Sequence, residues 1–289
     1  MSVPREDYIP VENGELYYRV IGQGQPIIVL HGGPDFDHTY LLPDMDRLSD
    51  SYRLIYYDQR GRGKSAGRAE DISIKSELED LEALRKHFEL DSMAVLGHSW
   101  GGTLAMLYAL AHPDRVSHLI LMNTSVASHE DHVLGVLERQ SRLAAHDNEL
   151  TPLKSSAKFA AGDVETVSKV YQIYFSTTFS HRENQKRLDM SLRNFTDEGI
   201  LRARAIEDRL YGETLLSSEF NLIPKLKGLS NPTLLIHGDY DFVPIETVTP
   251  IAEAIPGARM VVLKDCGHFS YIESPDEVRQ AIDEFFDGA

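Results

Sequence analysis

The chain is 289 residues long, 42% hydrophobic and 26% charged, with a formal net charge of −16. That is the composition of an ordinary globular protein, long enough to bury roughly 75% of its unfolded surface. So acidic a chain argues against nucleic acid and against anionic membrane surfaces as partners.

The longest apolar run, Leu104 to Ala111, falls far short of the ~20 residues a membrane span needs. The stretch Met1-Ser2-Val3-Pro4-Arg5-Glu6-Asp7 lacks the basic-then-apolar pattern of a secretory signal. A single cysteine, Cys266, excludes an intrachain disulfide. These features together predict a cytoplasmic protein, in which the Asn-x-Ser/Thr matches at Asn123 and Asn194 carry no weight.

Taken in order, Tyr8-Ile9-Pro10-Val11 and Leu16-Tyr17-Tyr18-Arg19-Val20 read as two strands joined by an Asn13-Gly14 turn. Ile27-Ile28-Val29-Leu30 is a run of branched apolar residues, as expected of a strand buried on both faces. It ends in His31-Gly32-Gly33-Pro34. Sites in open parallel sheets lie at the carboxyl ends of strands, so this turn is a candidate ligand-facing loop.

The next strand, Tyr52 to Tyr57, runs into Asp58-Gln59-Arg60-Gly61-Arg62-Gly63-Lys64-Ser65. A phosphate-binding loop would need glycine at position 58, so the Gly63-Lys64-Ser65 ending does not complete that motif. Asp58 and Arg60 are expected to hold backbone. Residues 73–89 have Ile74, Leu78, Leu81, Leu84 and Phe88 at helical spacing, with Ser73 as N-cap.

Met93-Ala94-Val95-Leu96 then leads into Gly97-His98-Ser99-Trp100-Gly101-Gly102 and an apolar helix over 103–111. This is the sequence form of a nucleophile elbow, a strained strand-to-helix turn that exposes a serine hydroxyl. His98 is expected to point away from the pocket. Val116 to Met122 is a further buried strand, which completes a doubly wound α/β pattern.

From residue 125 to about 220 the alternation stops. Only helical periodicities remain, such as Val164-Val167-Val170-Tyr171-Tyr174. This predicts a helical cap, or lid, over 125–220, inserted in a core made of 1–124 and 221–289. The strand pattern resumes at 232–236, followed by Gly238-Asp239-Tyr240-Asp241, a helix over 245–254, a strand over 259–263, Gly267-His268 and a closing helix over 276–286.

Acyl transfer needs a nucleophile, a base within hydrogen-bond reach and a carboxylate to fix the base's tautomer. Ser99, Asp241 and His268 supply these types in the order Ser…Asp…His, each on a loop after a strand. Asp239 competes with Asp241, which stands further past the strand end and is preferred. Gly33 and Trp100 are the candidate oxyanion donors through their backbone N–H groups; Pro34 has none to offer. His129 and His132, three apart around Glu130 and Asp131, read as a solvated helix face and not as a metal pair. Cys266 reads as a small buried side chain. No metal or cofactor is expected.

The stretches His31-Gly32-Gly33-Pro34, Asp58 to Ser65, Gly97 to Gly102, Gly238 to Asp241 and Gly267-His268 together resemble the α/β-hydrolase superfamily. Within it they resemble the prolyl-aminopeptidase (proline iminopeptidase) branch. The resemblance implies an α/β-hydrolase fold, a mostly parallel doubly wound sheet with an inserted helical lid. It implies Ser99 as nucleophile, Asp241 and His268 as its partners, and Gly33 and Trp100 as the oxyanion hole. The implied activity is release of an N-terminal proline or similar residue from a small substrate or short peptide. The alternatives are a carboxylesterase or lactonase acting on small acyl esters, an acyltransferase, or a ligand receptor on the same fold.

Two departures stand out. Members of that branch hold the substrate α-amine with lid glutamates, one just before an aromatic pair. The comparable stretch here, Val170 to Phe175, contains no carboxylate, so Glu207, Asp208 and Glu213 are the substitutes on offer. Glu207, Tyr171 and Tyr174 are the candidate substrate-binding residues. The loop after His31-Gly32-Gly33-Pro34 continues as Asp35-Phe36-Asp37, where the branch usually has glycine.

Overall fold

The computed structural model describes residues 3–188, 190 and 192–288. The first two residues of the N-terminal stretch read above lie outside them. The chain opens with β1 (Arg5–Val11) and β2 (Gly14–Ile21), an antiparallel hairpin in which Val11 pairs with Gly14. The two loop residues are therefore Glu12 and Asn13, one position earlier than expected. Asn13 takes the left-handed corner at φ 60°, a conformation asparagine tolerates, and Gly14 is already paired.

The core strands and helices follow: β3 (Gln25–Leu30), β4 (Tyr52–Tyr57), α1 (Ile74–His87), β5 (Met93–His98), α2 (Trp100–Ala111) and β6 (Val116–Met122). Then come α3 (His129–Leu143), α4 (Asp147–Lys154), α5 (Ala157–Ala160), α6 (Val164–Ser176) and α7 (Asp197–Glu213). After α8 (Ile223–Leu226) the pattern returns with β7 (Thr233–Gly238), α9 (Ile245–Ala254), β8 (Arg259–Leu263), α10 (Ser270–Glu273) and α11 (Pro275–Asp287).

One eight-stranded sheet runs β1-β2-β4-β3-β5-β6-β7-β8. It is antiparallel across β1, β2 and β4, and parallel from β4 to β8. This is the α/β architecture the alternating pattern predicts.

Successive strand residues point to opposite faces, and here both faces are dry. Ile28 and Leu30 of β3 join one apolar core with Val95 of β5 and Leu121 of β6. Ile27 and Val29 join the other, with Leu96 and Met122. Leu81 and Leu84 of α1 and Leu104 of α2 close the first layer. Val278, Ile282 and Phe285 of α11 close the second. Helix α1 starts at Ser73, whose side chain accepts from the Ser76 N–H while Ser76 Oγ accepts from the Ser73 N–H.

The 58–65 loop is built from its own side chains. Asp58 accepts from the His38 N–H at 3.0 Å and from the Lys64 N–H at 2.9 Å. Arg60 pairs with Asp80 and donates to the Glu12 carbonyl, and Arg62 pairs with Glu77 at 2.8 Å. Asp58 and Arg60 hold backbone and lie outside the cavity described next.

Candidate active site

Ser99 occupies the single residue between β5 and α2, with φ 56° and ψ −124°. Such a backbone costs a non-glycine residue of order 1–3 kcal/mol and persists only when its surroundings hold it. Here the Ser99 N–H donates to the Met122 and Asn123 carbonyls at 3.3 and 3.2 Å. Its own carbonyl accepts from the Gly102 and Ser125 N–H groups at 2.8 and 2.9 Å. The flanking glycines let the turn close. A methyl group on Gly97 would meet Gly101 O at 2.2 Å, and one on Gly101 would meet Leu30 O at 2.3 Å.

His268 follows β8. Its Nδ1 lies 2.9 and 3.0 Å from the two carboxylate oxygens of Asp241, so Nδ1–H faces the carboxylate and Nε2 is left as the basic nitrogen. Asp241 also accepts from Asn123 Nδ2 and from the Val243 N–H, each at 2.9 Å. Burial works to raise the Asp241 pKa. The attraction of His268 and His237 and these hydrogen bonds outweigh it, so the carboxyl sits below the usual carboxylate range. Asp239 is turned elsewhere, 3.4 Å from Lys264 Nζ and from the Cys266 N–H, so Asp241 is the one of the two that contacts His268.

Ser99, His268, Gly33 and Trp100 all line one cavity of about 460 Å3. No hydrogen bond joins Ser99 Oγ to His268 in this conformation; such contacts are commonly loose without substrate. The backbone N–H groups of Gly33 and Trp100 donate to no protein acceptor among the described residues, and both residues line the cavity. Tyr211 OH donates to the Gly33 carbonyl at 3.1 Å, and Gly32 N–H donates to Tyr40 OH at 2.7 Å, so the loop is pinned on both sides.

His98, expected to point away from the pocket, is a buried residue whose ring lies between Tyr40 OH (2.7 Å) and the His268 carbonyl (3.0 Å). The loop after β8 packs against the elbow, so the residue before Ser99 braces His268. Burial pulls the His98 pKa down to about 3, which keeps it neutral. Cys266 is fully buried as expected, its thiol pushed up to about 12 by burial.

Three helices between β6 and β7 each turn one face to the cavity. His132, Gly135, Val136 and Arg139 come from α3. Val170, Tyr171, Tyr174 and Phe175 come from α6, and Arg204, Glu207, Asp208 and Tyr211 from α7. The 3-and-4 spacing is that of a helix face. The candidates Tyr171, Tyr174 and Glu207 therefore stand with Ser99, and so does Asp208. Glu213 does not: it accepts from the Ile74 N–H and caps α1. His132 departs from expectation, because α3 runs along the cavity and sets its ring edge-on to Tyr211 at 5.7 Å. His129 is turned away onto the Leu215 carbonyl at 2.7 Å.

Glu207 forms no hydrogen bond or ion pair among the described residues. Burial and the neighbouring Asp35 push its pKa well above normal, against the pull of Arg139 and Arg204. Asp35 is buried, bonded to Tyr171 OH, and raised by burial. Sequence reasoning missed Asp35 as a site residue. The signal was the departure at that position, with nothing to say which way the side chain turned. It also missed Asn123 and Arg142, whose partners lie 118 and 99 residues away.

The sequence profile of the alpha/beta hydrolase fold matches residues 25–275. The chain belongs to this family. The hydrolase is 29% identical to the proline iminopeptidase of Lactobacillus helveticus, over 98% of this chain and 97% of that one. It is also 29% identical to the proline iminopeptidase of Saccharolobus solfataricus, over 93% and 87%. The crystal structure of the proline iminopeptidase of Mycobacterium smegmatis superposes with a TM-score of 0.72 over 98% of both chains, at 22% identity. Among the described residues no helix of the hydrolase is long and apolar enough to cross a membrane, and no three metal-ligating side chains converge.

Proposed function

We propose that the hydrolase is a cytoplasmic serine aminopeptidase that releases an N-terminal proline or similar residue from short peptides through an acyl-enzyme. Ser99 is the nucleophile and His268 the base. Asp241 holds the imidazole in the tautomer that leaves Nε2 free. Residues 125–220 act as a cap over a core of 1–124 and 221–289, and help exclude water from the reacting groups.

As Ser99 Oγ attacks the scissile carbonyl carbon, its proton passes to His268 Nε2. The carbonyl oxygen gains charge between the N–H groups of Gly33 and Trp100. Collapse breaks the C–N bond, and the His268 proton goes to the leaving amine. Water, deprotonated by His268, then attacks the acyl-ester and frees Ser99 together with the acid product. The Asp241–His268 contact beside an elbow serine in the same cavity is the observation that carries this reading. The unpartnered carboxyl of Glu207 supports the free-amine preference, with Tyr171 and Tyr174 lining the same cavity.

The test compares proline p-nitroanilide, its N-acetyl form and p-nitrophenyl acyl esters of rising length. An aminopeptidase loses activity when the amine is blocked; equal turnover of the blocked and free forms points instead to an esterase or lactonase. Ser99→Ala is expected to lower kcat by roughly 10⁶ on every substrate. Near-full turnover in that variant rules out the acyl-enzyme.

A further inference from the structure

We infer that Asp35 is a specificity-determining residue which, with Glu207, forms a two-carboxylate cradle for the α-ammonium group of the substrate. The inference rests on the aminopeptidase reading above and assigns a residue from the core, not from the cap, to its recognition step.

The geometry starts at Gly33. A methyl group placed there would lie 3.2 Å from Asp35 Oδ1, so the carboxylate folds back over the residue whose N–H faces the cavity. Its other oxygen, Oδ2, is taken by Tyr171 OH. Oδ1 is therefore the oxygen on the Gly33 side, where apart from Tyr171 the carboxyl meets only the Asp35 backbone N–H. In an aminoacyl substrate the α-nitrogen is two bonds from the scissile carbonyl carbon. A carboxylate placed there reaches an α-amine, whereas a side-chain amine several bonds further out does not fit the same spacing. Glu207, one turn before Tyr211 on α7, faces the same space and has no protein partner.

A second argument concerns charge. A carboxylate beside the oxyanion donors opposes the negative charge that develops on the carbonyl oxygen. That arrangement is self-defeating for a neutral acyl ester. It is corrected when the substrate itself brings a cation. The other charged or titratable groups facing the pair are Asp208 and Arg204 on α7, Arg139 and His132 on α3, and the hydroxyls of Tyr171 and Tyr211. Three carboxylates against two guanidiniums leave a net attraction for one ammonium when all are ionised. Both carboxyls are raised by burial, so acid protonates the pair and weakens the cradle.

The test is Asp35→Asn, which preserves the shape and can still bond Tyr171, assayed on proline p-nitroanilide and on p-nitrophenyl acetate. Loss of a charge-assisted contact is expected to raise KM for the free-amine substrate by about 10- to 100-fold. Turnover of p-nitrophenyl acetate should instead rise a few-fold at pH 8. The acid limb of kcat/KM for the amine substrate should move to lower pH, because Glu207 loses its like-charged neighbour. If both substrates decline together, Asp35 merely supports the loop and the inference is overturned. An unchanged KM for the amine substrate overturns it too. Glu207→Gln separates the two levels. If it raises KM while Asp35→Asn does not, the amine site stands without Asp35. If neither matters and the N-acetyl substrate is cleaved as well as the free one, the aminopeptidase reading itself falls.

Discussion

Arg142 Nη2 donates to the backbone carbonyl of Asp241 at 2.9 Å, while its Nη1 donates to the carbonyl of Tyr240 at 2.8 Å. One arginine of α3 thus holds the loop that carries the acid, with its guanidinium 4.7 Å over the Tyr240 ring. Arg142 is a positioning residue, since it touches Asp241 only through backbone. We expect Arg142→Ala to lower kcat by about 10-fold with little change in KM, the loss of one charged hydrogen bond being about 1.5–3 kcal/mol. Faster amide exchange over residues 239–243 would accompany it. A rise in KM at constant kcat would instead place Arg142 in binding.

Asn123 performs the same task from the other side. Its Nδ2 donates to Asp241 Oδ2 and to the Gly267 carbonyl at 2.9 and 3.1 Å, and its Oδ1 accepts from Ser270 Oγ at 2.5 Å. Asn123→Ala takes one hydrogen bond each from Asp241, the Gly267 carbonyl and Ser270 Oγ, all buried, at a cost of about 1–3 kcal/mol. Urea unfolding should record that loss, and the variant should also lose turnover. Asn123→Leu, of similar volume, should not restore either.

Gly101→Ala tests the elbow without touching a reacting group. The added methyl group meets Leu30 O at 2.3 Å, backbone against backbone, so β3 and α2 must separate. Overpacking of this sort typically costs about 1–3 kcal/mol, occasionally more. A fall in the unfolding midpoint together with lost esterase activity is the expected outcome, since Trp100 N–H shifts with the helix start.

Acid stability carries a signature of two buried histidines. Burial lowers the pKa of both His31 and His98 to about 3, against 6.5 for the exposed group. The unfolded chain takes up these protons first as pH falls. Their contribution is therefore complete above pH 6.5 and is lost between 6.5 and 3, at about 1.4 kcal/mol per pH unit for each. Unfolding free energies of the parent and His98→Gln, measured from pH 7 to pH 5, should differ in slope by about that amount. Parallel curves would show that His98 is protonated in the native state.

Most of the candidate site was legible because each of its parts ends a strand. Ser99, Asp241 and His268 follow β5, β7 and β8, and strands announce themselves as buried apolar runs. The order of residue types then needs no knowledge of distances. The cavity's far wall was not legible for a physical reason. Helical periodicity says which residues share a face, yet α3, α6 and α7 are amphipathic around a hollow lined by charged groups. Arg139, Arg204, Glu207 and His132 look like a solvated face in sequence. The partner of His98 was not legible either, because it comes from a loop 170 residues away, with His268 O at 3.0 Å. Asp35 lay in a stretch whose departure was noticed, and only the fold gave it a direction.

Glu207 and Tyr211 stand one helical turn apart on α7, the first facing the cavity and the second bonded to Gly33 O. On the proposed reading, one helix thus joins the residue that grips the substrate amine to the residue that holds the Gly33 loop. Such a linkage converts a grip at one end into alignment at the other. A substrate that lacks the gripping group would then be penalised twice, once in how long it stays and again in how fast it reacts while there.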